Sequence, residues 1–249
     1  MSAASVTPAI GWIGAELGPQ VVAGTTTRAG GVSEGSFASL NLAAHVGDQA
    51  QAVAANRARL RAALLLPGEP LWLRQVHGAE VAVHDGAQVE PTADAAVAFE
   101  RNRVLAVLTA DCLPVAFAAA DGSRVGIAHA GWRGLLAGVL ERTVAALGVP
   151  GEQLLAWLGP AIGPAAFEVG TEVRAAYVAA EPADAAAFTP NARGRWQADL
   201  YALARARLGR LSVGRITGGE ACTLSDAARF YSYRRDPGAG RMATLIWRR

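Results

Sequence analysis

The strongest constraint on the fold is a crowded stretch in the middle of the chain. Three short apolar runs follow one another there: Arg103 to Leu108, Leu113 to Ala119 and Arg124 to His129. Each is bounded by turn-forming or polar residues and reads as a strand. Asp121-Gly122, between the last two, is a strong signal for a tight hairpin turn. Strands joined so closely pair antiparallel, because parallel pairing needs a long crossover. A strict strand–helix alternation is thereby excluded. The prediction is an α+β fold: a single domain of mixed β-sheets with hairpins, flanked by helices.

The flanking segments add to this reading. Residues 1–20 show no clear period and read as a loose N-terminal segment, which leaves 21–249 as one domain. Val21 to Thr27 is a strand candidate, followed by a glycine-rich loop from Arg28 to Gly35. Asp48 is placed to cap a helix running to about Leu66, with Val53, Leu60 and Leu64 on one face. Leu71 to Val76 and Glu80 to His84 read as two strands around a turn at His77-Gly78. Arg133 to Leu147 reads as one helix, with Leu136, Leu140, Val144 and Leu147 at helical spacing and Gly148 at the C-terminal cap. Leu154 to Leu158 is a short strand that leads into a rigid loop, Gly159 to Pro164. Thr171 and Asp199 are plausible N-caps, and Ile216 and Met242 to Trp247 are late strand candidates.

Composition narrows the chemistry. With 52% hydrophobic and 18% charged residues in 249, the chain can bury a real core. A net charge of +2 gives no case for nucleic acid. All 23 basic residues are arginine, so no mechanism that needs a lysine is available: no Schiff base, no pyridoxal phosphate anchor, no P-loop lysine. Four His and two Cys are too few for a disulfide scaffold or a Cys-rich zinc module. The longest apolar stretch, Val104 to Ala120, is broken by Asp111 and Pro114, which argues against a membrane span. The N-terminus lacks a basic segment followed by an apolar one, so a cytoplasmic protein is expected. Oligomeric state is not legible.

Three of the scarce residues fall at ends of adjacent predicted strands. His77 follows Val76, Cys112 lies in the break Leu108-Thr-Ala-Asp-Cys-Leu-Pro114, and His129 closes the next strand before Ala-Gly-Trp-Arg-Gly134. If these strands share one sheet, the side chains converge at one edge. Two imidazoles and a thiolate make a three-ligand set with one open position, the pattern of catalytic zinc. The alternative stays open from spacing alone: Cys112 as a small buried hydrophobe and each His as an ordinary hydrogen-bonded residue. His45 and His84 read as surface or loop histidines, and Cys222 as structural. Phe230 to Asp236 reads as packing plus a salt-bridged surface. Trp132, Phe167 and Tyr231 are core aromatics or base-stacking ones.

Gln75-Val-His-Gly78, Thr109-Ala-Asp-Cys-Leu-Pro114, His129-Ala-Gly-Trp-Arg-Gly134, Leu158-Gly-Pro-Ala-Ile-Gly-Pro164 and Phe230-Tyr-Ser-Tyr-Arg-Arg-Asp236 carry a resemblance. Thr27 to Ser33 and Leu40 to Asp48 extend it. In these segments, in order, the chain resembles a bacterial family variously called laccase-domain proteins, polyphenol oxidases, purine nucleoside phosphorylases and peptidoglycan editing factors. The resemblance runs from about residue 21 to 247. It implies an αββα-like sandwich, as in cysteine-hydrolase-like proteins. It also implies that His77, Cys112 and His129 bind a metal, usually zinc. The implied chemistry is phosphorolysis of adenosine, inosine or methylthioadenosine, and deamination of adenosine by a zinc-activated water. Arg28 with the Gly30 and Gly31 amides, Asn41, and Arg133 are then candidates for binding phosphate or substrate. Asp111 is either a proton shuttle or a turn residue that holds a ligand. One departure is visible: Ala165-Ala166 stand where many members carry a cysteine.

Alternative activities remain at the same site. One is an amidohydrolase that edits a nucleotide-linked muramyl-peptide precursor of peptidoglycan, with Cys112 as nucleophile in a metal-free variant. Another is polyphenol oxidation by copper in the zinc position, which copper would bind well. A third is a non-catalytic protein that merely holds a metal. A conventional multicopper site is disfavoured. A blue-copper centre built on His77, Cys112 and His129 would leave His45 and His84 for a cluster, and Met1 or Met242 as axial ligand.

Overall fold

The structure is a computed structural model that describes residues 10–86 and 90–249; Met1 lies outside them. In chain order the strands are β1 (Trp12–Ala15), β2 (Val21–Thr26), β3 (Val81–Val83), β4 (Ala95–Ala98), β5 (Leu105–Thr109), β6 (Leu113–Ala119), β7 (Val125–Ala130), β8 (Leu154–Leu158), β9 (Glu168–Val169), β10 (Phe188–Pro190), β11 (Trp196–Ala198), β12 (Arg215–Gly218) and β13 (Met242–Arg248). The α-helices are α1 (Ala50–Leu64), α2 (Trp132–Leu136), α3 (Val139–Leu147), α4 (Thr171–Ala180) and α5 (Leu200–Arg210).

Two sheets pack face to face. One has the order β1-β2-β13-β5, the other β12-β8-β6-β7-β4-β3, and a small third sheet is ordered β10-β11-β9. Between the large sheets lie Val21, Ala23, Leu105, Val107 and Ile246 from one, and Ala116, Ala118, Val125, Ile127 and Trp157 from the other. The outer face of the six-stranded sheet presents Leu113, Val115 and Phe117 to Leu140, Val144 and Leu147 of α3 and to Leu203 and Leu208 of α5. The outer face of the four-stranded sheet presents Ala106, Leu108, Ala243 and Leu245 to Leu60 of α1 and to Leu40, Leu42 and Trp72. The result is the expected αββα sandwich. Each large sheet is covered on both faces, which is why β5, β6 and β7 are buried at every residue and read as continuous apolar runs.

The hairpin predicted at Asp121-Gly122 joins β6 and β7, with Gly122 at φ +70. The third run behaves differently. β5 pairs with β13 in the other sheet, so the three runs do not share one sheet. The chain crosses between sheets at Ala110 to Cys112, and Asp111 takes φ 91 to make the turn. That left-handed backbone is uncommon outside glycine, and Asp tolerates it better than most residues. The segment from Leu71 to Val76 is not a strand: Leu71 bridges Leu105 and Arg74 bridges Thr92, each in isolation. β3 pairs parallel with β4 rather than forming a hairpin back onto that segment.

Other differences have local causes. The helix expected from Arg133 to Leu147 is two helices, because Gly138 adopts φ 86 between them. Gly148 caps the second at φ 65 as expected. Asp48 is not the cap of α1, whose N-cap position is Gln49. The Asp48 carboxylate instead accepts hydrogen bonds from Ser33 (2.6 Å) and Asn41 (2.9 Å). Asp199 does cap α5 by accepting from Ala202 N–H, whereas Gly170, not Thr171, occupies the cap of α4. Trp12–Ala15, within the segment read as loose, pairs antiparallel with β2. No helix among the described residues is long and apolar enough to cross a membrane.

Candidate metal centre

Sheet crossing brings together what the sequence spreads apart. His77 sits in the loop before β3, Cys112 just after the crossing from β5, and His129 near the end of β7. Their ligand atoms all lie within 4.8 Å of one another. Among the described residues no second group of three His, Cys, Asp or Glu side chains converges in this way.

Asp94, just before β4, organises the two histidines. Its buried carboxylate accepts the backbone N–H groups of Val76 (3.1 Å), His77 (2.9 Å) and Gly78 (2.7 Å). These three amides wrap around it because His77 adopts φ 61. The same carboxylate meets His129 Nδ1 at 2.8 Å. That contact leaves Nε2 as the free ring nitrogen of His129, the carboxylate–histidine arrangement that orients metal ligands. Sequence reasoning missed Asp94. Its signal is an isolated acidic residue inside the small-residue run Ala93-Asp-Ala-Ala-Val97.

Electrostatics favour a thiolate. Burial alone would push the Cys112 thiol up, but the charge and hydrogen bond of His129, and then His77, bring it down to about 6. Burial alone would lower His129, but the charge of Cys112 and the hydrogen bond to Asp94 raise it to about 9. The metal-free pair is therefore a thiolate beside an imidazolium, held by a carboxylate.

The donor set and the space around it fit a single ion. A Cβ built on Gly131 would lie 2.8 Å from Cys112 Sγ and 3.4 Å from the His77 ring, so the position must stay bare. Gly131→Ala is expected to displace the thiol and weaken metal binding at least about tenfold, the effect typical of disturbed ligand orientation. Competition with a chromophoric chelator measures this, and an unchanged affinity would show that the cluster has more room than its geometry indicates.

The cluster opens into a cavity of about 440 Å³, a size within the usual small-molecule range. Trp132, Phe167, Ile162 and Leu200 form apolar walls. Arg133, Arg234 and Arg241 give it a cationic rim, and His45 and Tyr233 also line it. Arg133 is exposed, its guanidinium lies 4.2 Å from the centre of the Trp132 ring, and its side chain makes no hydrogen bond or ion pair among the described residues. Thr109 lines the cavity with a buried hydroxyl that has no partner there.

The remaining sequence candidates are placed as follows. Asp111 lines the cavity, but its carboxylate accepts from Thr223 Oγ1 (2.6 Å), Ser232 Oγ (3.0 Å) and Arg234 N–H (2.7 Å). Arg28, Gly30, Gly31 and Asn41 do not line it. Arg28 donates to the carbonyls of Ala38 and Ala227 and stacks on Tyr231, and the Gly31 amide donates to Ser39 Oγ. Asn41 is fully buried and accepts the backbone N–H of Arg241 at 3.0 Å. His45 is the exposed turn histidine expected, though it also lines the cavity, and His84 lies in the loop after β3 as expected but is buried there at 5% exposure. Cys222 is structural, its sulfur accepting from Gly163 N–H at 3.2 Å. Phe230 and Tyr231 are core, as the packing reading of that segment expected, but Tyr233 and Arg234 belong to the cavity. Met242 is buried, and its sulfur accepts from Tyr231 N–H at 3.1 Å.

Fold and cluster together define a class: an αββα protein with one His-Cys-His metal-binding arrangement at the foot of a small-molecule cavity. The chain belongs to the family described as multi-copper polyphenol oxidoreductase laccase, which it matches over residues 22–249. It is 55% identical to purine nucleoside phosphorylase PA4543 of Pseudomonas aeruginosa, covering 92% of this chain and 93% of that one. It is 50% identical to purine nucleoside phosphorylase YfiH of Escherichia coli, covering 91% and 93%. Among solved structures it is similar to protein NMB0706 of Neisseria meningitidis, with a TM-score of 0.91, 45% identity and coverage of 95% and 98%. YlmD of Geobacillus stearothermophilus gives 0.89 at 34% identity, covering 96% of each chain.

Proposed function

We propose that the chain is a zinc-dependent purine nucleoside phosphorylase acting on adenosine, inosine or methylthioadenosine, and that the same site deaminates adenosine. The observation that carries this reading is the convergence of His77, Cys112 and His129 on a cavity rimmed by arginines. Relatives named as purine nucleoside phosphorylases support it. Two imidazoles and a thiolate suit zinc, and copper would bind the same donors. A bound ion supplies Lewis-acid chemistry at its open position.

The chain's own residues bind and orient. Arg133 has its guanidinium donors uncommitted, and the planar fork matches a phosphate. Arg234 and Arg241 add charge on the same rim. With no lysine in the chain, the anion site rests on arginine. Trp132, Phe167 and Tyr233 offer faces to a purine, and Thr109 offers a hydroxyl that can donate or accept. In phosphorolysis a phosphate oxygen bonds to C1′ as the C1′–N9 bond breaks. The purine leaves with a proton, giving free base and ribose 1-phosphate. Asp111, with both carboxylate oxygens engaged, acts here as the residue that holds the Cys112 turn. Asn41 supports the rim by accepting the Arg241 N–H, while Arg28 stacks on the core Tyr231 and the Gly30-Gly31 loop bonds to Arg59 and Ser39.

The test is a coupled assay on zinc-loaded, copper-free protein with phosphate and adenosine or inosine. Phosphate-dependent release of free base is expected, and its absence overturns the reading. Arg133→Ala is expected to raise the phosphate KM about 10- to 100-fold with zinc retained, the loss of one or two charge-assisted hydrogen bonds. An unchanged phosphate KM removes Arg133 from the site.

A second reading is favoured by one observation: Cys112, His129 and Asp94 form a thiolate nucleophile, an imidazolium partner and an orienting carboxylate. Such a set suits a metal-free amidohydrolase acting on a muramyl-peptide precursor. Cleavage of that amide by chelator-treated protein, without nucleoside phosphorolysis, would select it.

A further inference from the structure

We infer that Gln75 is a positioning residue for the metal ligands, lacing the His77 loop to the strand that leads into Cys112. The inference rests on reading the His-Cys-His cluster as a metal site. Gln75 Nε2 donates to the Leu108 carbonyl at 2.9 Å, and Gln75 Oε1 accepts the Leu108 N–H at 2.7 Å. Both backbone groups of one residue are thus taken by one side chain.

β5 is the edge strand of its sheet, and the other side of Leu108 faces Ala243 of β13. An edge residue presents an unpaired N–H and C=O. Here the Gln75 amide stands in for the peptide group of a missing neighbouring strand. The main chain makes the same connection at the other end of β5, where Leu71 N–H donates to the Val104 carbonyl at 2.8 Å. Between these points the segment leaves the sheet, which frees His77 to adopt its left-handed backbone and reach the cluster.

The consequence concerns the geometry of three ligands. Asp94 ties His77 to His129, but it touches neither Cys112 nor β5 in any hydrogen bond among the described residues. Held by Asp94 alone, the loop could pivot about that carboxylate and carry His77 away from Cys112. Gln75 lies two residues from His77, and Leu108 lies four before Cys112. A two-point clamp there fixes both the separation and the angle between the two ligand-bearing segments. His77 itself is exposed, so packing does not do this for it.

The test uses the full chain carrying Gln75→Met, which keeps length and apolar bulk and removes both hydrogen bonds. Zinc affinity is read by competition with a chromophoric chelator. The absorption bands of the cobalt-substituted protein are read alongside, since they report ligand geometry. The expected result is a 10- to 100-fold weaker zinc affinity, the range for lost supporting contacts, with shifted cobalt bands. Gln75→Glu keeps the acceptor for Leu108 N–H but sets a carboxylate against the carbonyl, so an intermediate loss is expected. It also serves if Gln75→Met does not fold. Affinity within twofold of wild type and unchanged cobalt bands would overturn the inference and leave Gln75 as a cap on an edge strand. Wild-type protein that binds no zinc would overturn the metal reading itself, and this inference with it.

Discussion

Cys112→Ala is expected to strip the metal from the chain. Wild-type protein should carry about one zinc per chain, the stoichiometry of a single three-ligand site. A structural zinc site is worth about 10–16 kcal/mol, so the share of one protein ligand in three corresponds to a loss on the order of 10³-fold in affinity. Phosphorolysis should fall with the metal. The fold should survive, because the change removes one sulfur beside a bare glycine and leaves every backbone contact in place. Elemental analysis of both proteins checks the prediction, and metal retained after the substitution would sink the ligand assignment. pH adds an independent check. Metal binding requires Cys112 as thiolate and His129 as neutral ligand. The thiol titrates at about 6, and the imidazolium that accompanies it at about 9. Protons therefore compete with the metal throughout this interval, and zinc affinity should climb from pH 5 to about pH 9. A flat profile would mean that these groups do not ligate.

Asp94→Ala should be nearly as severe and for a different reason. The carboxylate is fully buried and engages three amides and one imidazole. Removing it leaves four donors without a partner, and breaking one side of a buried charged pair costs about 3–5 kcal/mol. Loss of ligand orientation should weaken zinc about 10- to 100-fold in addition. Burial alone would raise the Asp94 carboxyl, but hydrogen bonds from His129 and Gly78 and the charge of His129 hold it below the usual 3.8. A depressed carboxyl stabilises the fold above its unfolded pKa, and that contribution is lost as pH falls through the lower folded value. The stability gap between wild type and Asp94→Ala should accordingly be full above pH 5 and close on acidification below about pH 4. Denaturant titrations at pH 7 and pH 3 measure it. A gap under about 1 kcal/mol at pH 7, with zinc affinity unchanged, would make Asp94 a spectator.

Much of the scaffold was legible because it is local. The β6–β7 hairpin follows from two apolar runs and an Asp-Gly turn, and β2, β8 and β13 follow from short β-branched or apolar runs between breakers. Asp199 announced the start of α5 by its side chain alone. The errors fall where a non-local partner decides. Gly138 breaks a helix that side-chain periodicity joined, because the period of the apolar positions continues across the break. Asp48 serves Ser33 and Asn41 instead of the helix beside it. Leu71 to Val76 has the residues of a strand, yet its partner groups go to a side-chain clamp rather than a ladder.

The candidate site divides in the same way. His77, Cys112 and His129 stood out as scarce residues at strand ends, and the resemblance named them as ligands. A shared sheet accounts for two of the three, since Cys112 and His129 lie at the adjoining ends of the paired strands β6 and β7, whereas His77 comes from a loop that Gln75 ties to β5 of the other sheet. Asp94 and Arg241 were not singled out, and Gln75, Tyr233 and Arg234 entered only inside motifs without a role, because each role depends on a neighbour distant in the chain. By itself the sequence determined the β6–β7 hairpin, the strands β2, β8 and β13 and the absence of lysine chemistry, which depend on composition or on residues a few positions apart, while the three candidate donors stood out by scarcity and by a resemblance. Only the tertiary structure decided which sheet receives β5, which arginines face the cavity and which polar groups hold the ligands. Those choices are set by burying both faces of two sheets at once, a condition that no short window of sequence contains.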